Sequence, residues 1–347
     1  MSKEYYVRSD SDLVFLMLGG ESPMSEGWLQ HSFMSQQAKK LKAATFVIEH
    51  RFYGKSMPKG DLRVENLKYL SSEQMNIDHG FKNPRWVVFG GSYAGSLAAW
   101  MRYRYPHLVH AAVASSGPLF AEVDFPEYYQ TVSKSLSTVS TKCVDAIRDD
   151  YLPPVFHILT YGSFIFVWNV KLARCKDYQT SCIYTESFEI YEIFLPVRQW
   201  LYQTCTEFGW YQTSSKKGET FGDQLRIDYY VDLCRDVYDK RFDAPFLESS
   251  VQETNLNYGG ISLDVSRVIF VHGTIDPWSA IGITKKPPKG SVAIFVKGTA
   301  HCADMFVESS SDIPQLKNAK TKISRILGRW TSGKKMESET ESVFHFQ

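Results

Sequence analysis

Three side chains that lie far apart in the chain, Ser92, Asp276 and His301, have the types that nucleophilic hydrolysis needs. A serine hydroxyl becomes a nucleophile when an imidazole accepts its proton and a carboxylate orients that imidazole. In hydrolases built on a parallel sheet these residues follow the chain order Ser, then Asp or Glu, then His. The same order here predicts an acyl-transfer site with Ser92 as nucleophile, Asp276 as orienting acid and His301 as general base.

Small residues crowd around Ser92 in the stretch WVVFGGSYAG, which spans residues 86–95. A sharp turn from a strand into a helix lifts a serine above the sheet, and its neighbours must be small because the two backbones approach closely. The usual G-x-S-x-G spacing is altered, with Ala94 in place of the second glycine and Gly95 next. The helix start would present the Tyr93 N–H as an oxyanion donor. A glycine-rich phosphate loop is the alternative, although no G-x-G-x-x-G or Gly-Lys-Ser/Thr is present.

Six short apolar runs predict strands that are buried on both faces of a sheet. They span residues 13–20, 44–50, 86–91, 109–117, 267–273 and 291–298. Helical patterns lie between several of them, which indicates an α/β fold with a mostly parallel sheet and helices on both faces. Asp276 and His301 each follow a predicted strand, so we expect them at the same carboxyl edge as Ser92.

Other candidates are set aside by their positions. His345 lies in the predicted tail, His272 falls inside a predicted strand and His50 precedes the serine. Asp304 shares the short loop of His301, and we expect it to be a solvated or capping residue.

The middle of the chain differs from both ends, because it has few strand-like runs and several stretches with helical spacing. We interpret residues 121–260 as an inserted, mainly helical cap. The first and second halves of the core then span residues 1–120 and 261–335, with a last amphipathic helix near the end. Residues 336–347 are predicted to be a flexible tail.

The overall composition excludes some classes of partner. The formal net charge of the 347 residues is +1 and no long charged run occurs, so nucleic acid is not an expected partner. The apolar stretch at 156–170 is short for a membrane span and is broken by glycine and asparagine, which favours a buried segment. The first ten residues lack the apolar core of a signal peptide.

Six cysteines are present, and five of them fall between residues 143 and 234. None has Cys-x-x-Cys spacing, so a zinc site is not expected. The clustering favours a disulfide-braced segment in an oxidising compartment, while six reduced buried thiols remain the alternative.

Seven motifs in the same order resemble the prolyl-specific serine peptidases, the family that holds lysosomal Pro-X carboxypeptidase and dipeptidyl peptidase II. The residues of the motifs TCTEFGWYQT and HCADM are most similar to the thymus-specific serine protease branch. The motifs are EHRFYGKSMP, LKYLSSEQ, GGSYAGSLAAWMRYRYPHLVHAAVASSGPL, RQWLYQTCTEFGWYQTS, NLNYGG, IDPW and GTAHCADM. They cover most of residues 10–150 and 195–330.

The resemblance implies an α/β-hydrolase core with a helical cap and the triad named above. It implies an exopeptidase that prefers proline before the scissile bond and acts on peptides in lysosomes or outside the cell, without metal or cofactor. Carboxypeptidase and dipeptidyl peptidase activities both stay open, and a homodimer is compatible with the sequence but not specified by it.

The resemblance also suggests roles for further residues. Trp278 would line a proline pocket, with ordinary packing as the alternative. Gly20 would supply the second oxyanion N–H, and Glu21 would face a substrate amino terminus unless it is a plain surface carboxylate. Cys205 and Cys234 would pair as a disulfide in the cap.

Three features depart from the family pattern. A signal peptide is expected and not found at the start. Only about 35 residues link the predicted strands at 44–50 and 86–91, which leaves little crossover helix and predicts a poorly covered sheet face. Residues 151–194 match no family motif. These departures keep two other functions open: a relative that binds peptides without hydrolysing them, and an esterase or lipase.

Overall fold

A computed structural model describes residues 1–7, 12–72, 81–150, 197–214, 220–332 and 343–346. In chain order its strands are β1 (Leu13–Leu18), β2 (Ala44–Ile48), β3 (Arg85–Gly91), β4 (Val109–Ser115), β5 (Glu122–Asp124), β6 (Gly209–Tyr211), β7 (Val268–Gly273), β8 (Val292–Val296) and β9 (Val343–Phe346). Seven of these described strands form one sheet in the order β2-β1-β3-β4-β7-β8-β9. Neighbouring strands in this sheet pair in parallel, as the sequence predicts.

Helices cover both faces of the sheet. They are α1 (Phe33–Leu41), α2 (Val64–Leu67), α3 (Tyr93–Arg104), α4 (Glu127–Ser137), α5 (Thr141–Asp150), α6 (Val197–Gln203), α7 (Ile227–Val237), α8 (Ala244–Tyr258) and α9 (Pro314–Thr331). A π-helical turn, Thr204–Phe208, follows α6 directly. Of the helices in these ranges, none combines the length and apolar character of a membrane-crossing segment.

The apolar strands are explained by burial on both sides. In β1, Val14 and Leu16 belong to a core cluster with α3, whereas Phe15 and Met17 belong to a second cluster with α1 and α9. Every residue of β1 and β7 is buried. Because successive strand residues point to opposite faces, such strands are apolar throughout and do not alternate with polar residues.

The last helix and the C-terminal residues close the far edge of the sheet. Along α9 the buried residues Ala319, Ile323, Leu327 and Trp330 recur every three or four positions, so one face lies on the sheet. Val343–Phe346 then pair with β8 in parallel. These four residues lie in the predicted tail, and there the backbone forms a strand that covers the edge of β8.

Between β4 and β7 the described residues form helices α4 to α8 and a small parallel sheet of β5 and β6. Cys205 and Cys234 form a disulfide that joins the π-helical turn to α7, as the resemblance predicts. The segments at 151–194 and 156–170 discussed above lie outside the described residues.

The connection from β2 to β3 contains only one helix, α2, in its described part. Aromatic side chains cover part of the sheet face there. The ring of Phe81 packs 5.8 Å from Phe46, 6.2 Å from Trp86 and 5.8 Å from Tyr6, and these residues belong to or pack against one core cluster.

Candidate active site

Ser92 occupies a strained turn between β3 and α3. Its φ of 59° and ψ of −134° lie outside the regions that residues with side chains favour. Such a conformation costs about 1–3 kcal/mol and persists only where the surroundings hold it, which occurs most often at active sites. The N–H of Ser92 donates to the carbonyl of Ser115, at the end of β4, over 3.0 Å. This is the predicted strand-to-helix elbow.

Close backbone contact explains the small residues around this turn. A methyl group at Gly90 would lie 1.9 Å from the carbonyl oxygen of Ala94, and one at Gly95 would lie 2.6 Å from the carbonyl oxygen of Ser115. Real Cβ atoms do not approach other atoms so closely, so neither position accepts a side chain. The alanine at position 94 fits because it points elsewhere into the core, where it is 3% exposed.

Asp276 and His301 meet at the carboxyl edge of the sheet. Asp276 follows β7, is fully buried, and accepts the N–H of Trp278 through Oδ1 at 3.1 Å. Nδ1 of His301, in the turn after β8, lies 2.9 Å from the same oxygen. Because a carboxylate accepts, Nδ1 donates, and Nε2 is left as the acceptor that a general base needs.

The two groups change each other's pKa. Burial by itself would raise the pKa of Asp276, but the charge of His301 and its hydrogen bond hold this pKa below the ordinary value. Burial by itself would lower the pKa of His301, but the charge of Asp276 outweighs it and raises this pKa well above 6.5. The pair therefore stabilises the imidazolium that forms when His301 accepts a proton.

The end of β7 and the loop of His301 also touch through their main chains. A methyl group at Gly273 would lie 2.0 Å from the carbonyl oxygen of Thr299. The N–H of Ile275 donates to the same oxygen at 3.3 Å, and the N–H of Gly298 donates to Oγ1 of Thr274 at 2.9 Å. The turn that carries the acid and the turn that carries the imidazole are thus joined directly.

The loop of His301 is docked on the two serines at the end of β4. The N–H of Cys302 donates to Oγ of Ser116 at 2.8 Å. The preceding residue, Ser115, accepts the N–H of Ser92 through its carbonyl. The turn of Ser92 and the loop of His301 therefore share one anchor at the end of β4.

Asp304 strengthens this anchor, and the expectation that it is a solvated or capping residue is wrong. Its carboxylate is buried and accepts the hydroxyl of Ser115. Burial raises the pKa of Asp304. The physical reason is that the short 3-10 helix Ala303–Met305 folds the loop back onto the sheet. The neighbouring Cys302 is a free, partly exposed thiol close to Gly91, where a methyl group would lie 3.0 Å from its Sγ.

Gly20 and Glu21 lie in the turn after β1. A methyl group at Gly20 would be 3.3 Å from the N atom of Ala94 and 3.8 Å from the ring of Tyr93, so this turn packs against the start of α3. Burial raises the pKa of Glu21, while the charge of His301 opposes the rise.

Trp278 forms an aromatic wall beside His301. It is 7% exposed, and its ring lies 6.5 Å from the His301 ring. Tyr128 at 5.5 Å and Trp210 at 5.9 Å pack on it. Trp278 therefore packs in the core and also borders His301, and its place in a proline pocket stays a prediction.

Two features complete the description of the site. In the part of the chain that the structure describes, no group of three or more His, Cys, Asp or Glu residues could hold a metal ion. Sequence reasoning missed His50, whose Nε2 lies 3.1 Å from the hydroxyl of Tyr93, and Gln203, whose Nε2 lies 2.9 Å from it. No spacing rule connects these residues, which are 43 and 110 positions from Tyr93.

The parallel sheet, with a serine at the elbow after its third strand and helices on both faces, defines an α/β-hydrolase. A family model described as serine carboxypeptidase S28 matches residues 1–153 and 163–323. The chain belongs to this family and is a serine-type peptidase. This match includes residues 151–153 and 163–194, so the expectation that residues 151–194 match nothing holds only for residues 154–162.

The chain is also similar to individual proteins, two of them by sequence and one by structure. A thymus-specific serine protease of Mus musculus is 30% identical over 409 residues, covering 91% of this chain and 80% of that protein. A lysosomal Pro-X carboxypeptidase of Bos taurus is 24% identical over 421 residues, covering 94% and 82%. A solved structure, the proline iminopeptidase of Mycobacterium smegmatis, aligns over 94% of this chain and 92% of that one, with 11% identity and a TM-score of 0.46.

Proposed function

We propose that this serine peptidase is an active exopeptidase in which Ser92 is the nucleophile, Asp276 the orienting acid and His301 the general base. The observation that carries the proposal is the 2.9 Å contact between Nδ1 of His301 and Oδ1 of Asp276, on the sheet edge where Ser92 is held in a strained turn. The common anchor of both turns on β4 supports it.

The reaction would be acyl transfer. Nε2 of His301 accepts the proton of Ser92 as Oγ attacks the carbonyl carbon, and Asp276 stabilises the imidazolium. His301 then returns the proton to the leaving amine as the C–N bond breaks. A water molecule then attacks the acyl-enzyme and His301 accepts its proton. As the ester C–O bond breaks, His301 returns this proton to Oγ of Ser92 and the acid product leaves.

The charge on the carbonyl oxygen would be stabilised by two main-chain donors, the N–H groups of Tyr93 and Gly20. One such donor contributes about 3 kcal/mol to lowering the barrier in comparable sites. The packing of the Gly20 turn against the first residues of α3 supports this pairing.

Proline before the scissile bond is the preference that we propose, since the flat ring of Trp278 suits apolar contact with a proline ring. The name of the bovine relative, a Pro-X carboxypeptidase, points the same way. Glu21 resembles the acidic residue that faces a substrate amine in the family, which favours release of a dipeptide, with carboxypeptidase action as the other direction. A digest of a proline-containing peptide library, analysed by mass spectrometry, distinguishes the two.

Action in the lysosome or outside the cell is also part of the proposal. The Cys205–Cys234 disulfide supports it, because disulfides persist in oxidising compartments. The word lysosomal in the name of the bovine relative agrees.

Covalent labelling with a fluorophosphonate tests the nucleophile. We expect the wild type to be labelled and to hydrolyse a proline-linked chromogenic peptide, and Ser92→Ala to do neither. Ser96→Ala is the matched control. Ser96 lies one turn after Ser92 in α3, and its buried hydroxyl donates to the carbonyl of Pro118. It should keep both activities.

Three results would contradict the proposal. A folded wild type that resists labelling would indicate a peptide-binding relative without turnover. Labelling that persists in Ser92→Ala would place the nucleophile elsewhere. Hydrolysis of a medium-chain ester in preference to the peptide would indicate an esterase or lipase.

A further inference from the structure

The hydroxyl of Tyr93, the residue after Ser92, is the meeting point of four segments of the chain. Tyr93 is 1% exposed. Its hydroxyl lies 3.1 Å from Nε2 of His50, 2.9 Å from Oγ of Ser72 and 2.9 Å from Nε2 of Gln203. A buried phenol needs one good partner, and this one has three.

The direction of these hydrogen bonds follows from their partners. Nδ1 of His50 lies 2.8 Å from the carbonyl of Arg51, which can only accept, so Nδ1 carries a proton. Burial lowers the pKa of His50 to about 4, so the ring is neutral near pH 7 and Nε2 is an acceptor. Tyr93 therefore donates to His50, and its oxygen accepts from Gln203.

Gln203 is fully used by the same network. Its Nε2 donates to Tyr93 and to Oε2 of Glu207 at 2.9 Å, and its Oε1 accepts the hydroxyl of Tyr53 at 2.6 Å. This set of partners fixes which end of the amide is which. Gln203 has no exposed surface, so its orientation is determined by these contacts.

The position of Gln203 in the fold shows which segment of the chain the hydrogen-bond network connects to Tyr93. Gln203 ends α6, and Glu207 lies in the π-helical turn that follows. Isolated π-helical turns occur frequently at functional sites. Cys205, in the same turn, is tied to α7 by the disulfide. A covalently braced part of the region between β4 and β7 thus contacts the first residue of the nucleophile helix.

We propose that the hydroxyl of Tyr93 is a positioning group that ties the α6 segment to the nucleophile turn and so aligns the Tyr93 N–H with the substrate oxyanion. This role rests on the proposed function. Because Ser92 is held at a φ of 59°, the turn needs contacts that prevent its relaxation, and the side chain attached to the next residue supplies them. Misplacement of a donor by even 1 Å can cost about 100-fold in rate.

Tyr93→Phe tests the role, because it removes the hydroxyl and keeps the ring packed 5.2 Å from Phe208 and 5.4 Å from Trp200. We expect kcat to fall about 10- to 100-fold with KM within about twofold, since the lost interaction acts in the transition state. Labelling by the fluorophosphonate should slow by a similar factor. Ser72→Ala, which removes one partner of the hydroxyl, should lower kcat in the same way by about threefold to tenfold.

Tyr230→Phe is the matched control. It removes a buried phenol on α7 that donates to the Gln212 carbonyl. We expect a lower Tm and an unchanged kcat. If Tyr93→Phe also lowers only the Tm, the positioning role is overturned.

Amide hydrogen exchange separates this role from the proposed function. In Tyr93→Phe, and not in Tyr230→Phe, the peptide that spans the Ser92 turn should exchange faster. A wild type that neither hydrolyses nor is labelled would overturn the proposed function, whereas unchanged exchange in Tyr93→Phe would overturn the positioning role whatever the activity.

Discussion

The two sides of the candidate site are held by different kinds of contact. On the sheet side, main chain touches main chain: a methyl group at Gly95 would lie 3.1 Å from the Cα of Gly117, and Gly273 meets the carbonyl of Thr299. Hydrogen bonds between neighbouring turns complete this side. Because there is no space for a larger side chain at these glycines, a substitution there would move the backbone itself.

On the cap side, which we define as the described residues between β4 and β7, side chains supply the contacts. The rings of Phe208 and Trp210 stack 4.5 Å apart, and Trp200 packs on both of them. Gln203 adds the polar link to Tyr93. The difference suggests that the sheet side fixes the chemistry, whereas the cap side sets the stability and fine alignment of the site.

Asp276→Asn gives the largest expected effect, on the sheet side. We expect kcat to fall about 10,000-fold, because an amide favours the wrong imidazole tautomer, while the fold survives. Hydrolysis of the proline-linked peptide measures it. Since the charge of Asp276 raises the pKa of His301, the acid limb of the remaining activity should move to lower pH. Asp264→Asn, at an exposed aspartate, is the control and should change neither quantity.

If Asp276→Asn lowers kcat by less than about 100-fold, the assignment of Asp276 as the orienting acid is contradicted. The conclusion that the sheet side fixes the chemistry would then lose its support.

Acidification gives an intermediate expected effect, a loss of stability through His50. This residue belongs to the hydrogen-bond network of the Tyr93 hydroxyl, which joins the two sides. The pKa of His50 falls from 6.5 to about 4 on folding, chiefly through burial. The unfolded chain therefore takes up a proton first, and as the pH falls from 6.5 towards 4 this one group lowers the free energy of unfolding by about 3 kcal/mol. Three groups face this ring, namely the phenols of Tyr53 and Tyr93 and the charged side chain of Arg51. None of them compensates the positive charge that a protonated His50 would add to that of Arg51.

Urea unfolding of the wild type and His50→Gln near pH 7 and near pH 4 measures this loss. Glutamine keeps an acceptor for Tyr93 but does not protonate, so the variant should lose about 3 kcal/mol less. His272, whose pKa burial also lowers to about 4, titrates in both proteins and cancels in the difference. Equal losses would show that His50 does not couple folding to pH.

Ser116→Ala gives the smallest expected effect, on the sheet side. It leaves the N–H of Cys302 without its acceptor, which should lower stability by about 1–2 kcal/mol. We also expect kcat to fall about tenfold, because the loop of His301 loses an anchor. Ser291→Ala is the matched control: its hydroxyl accepts the N–H of Val268 at the opposite end of the neighbouring strands. It should cost similar stability at unchanged kcat, and a similar kcat for both variants would contradict a shared anchor.

Much of the sheet side could be predicted from sequence. Strands buried on both faces produce apolar runs, and close backbone contact requires small residues around Ser92. The carboxyl edge of a parallel sheet collects the turns that follow its strands, which is why Asp276 and His301 were expected together and are found in contact. Their catalytic roles stay predictions that the experiments above test.

The cap side could not be predicted in the same way. Gln203 meets Tyr93 through side chains across 110 positions, and nothing local in either segment requires the pairing. The burial of Asp304 was missed because a carboxylate in a short loop is normally solvated, and only the folded loop shows it turned onto Ser115.

The junction of Gly273 with Thr299 has a consequence for engineering. Since the two turns leave no room between them, the carboxylate and imidazole form a single cassette. We expect this cassette to be transferable to another scaffold only as a whole, with both strands and their spacing. A graft of either half alone should lose the hydrogen bond between His301 and Asp276.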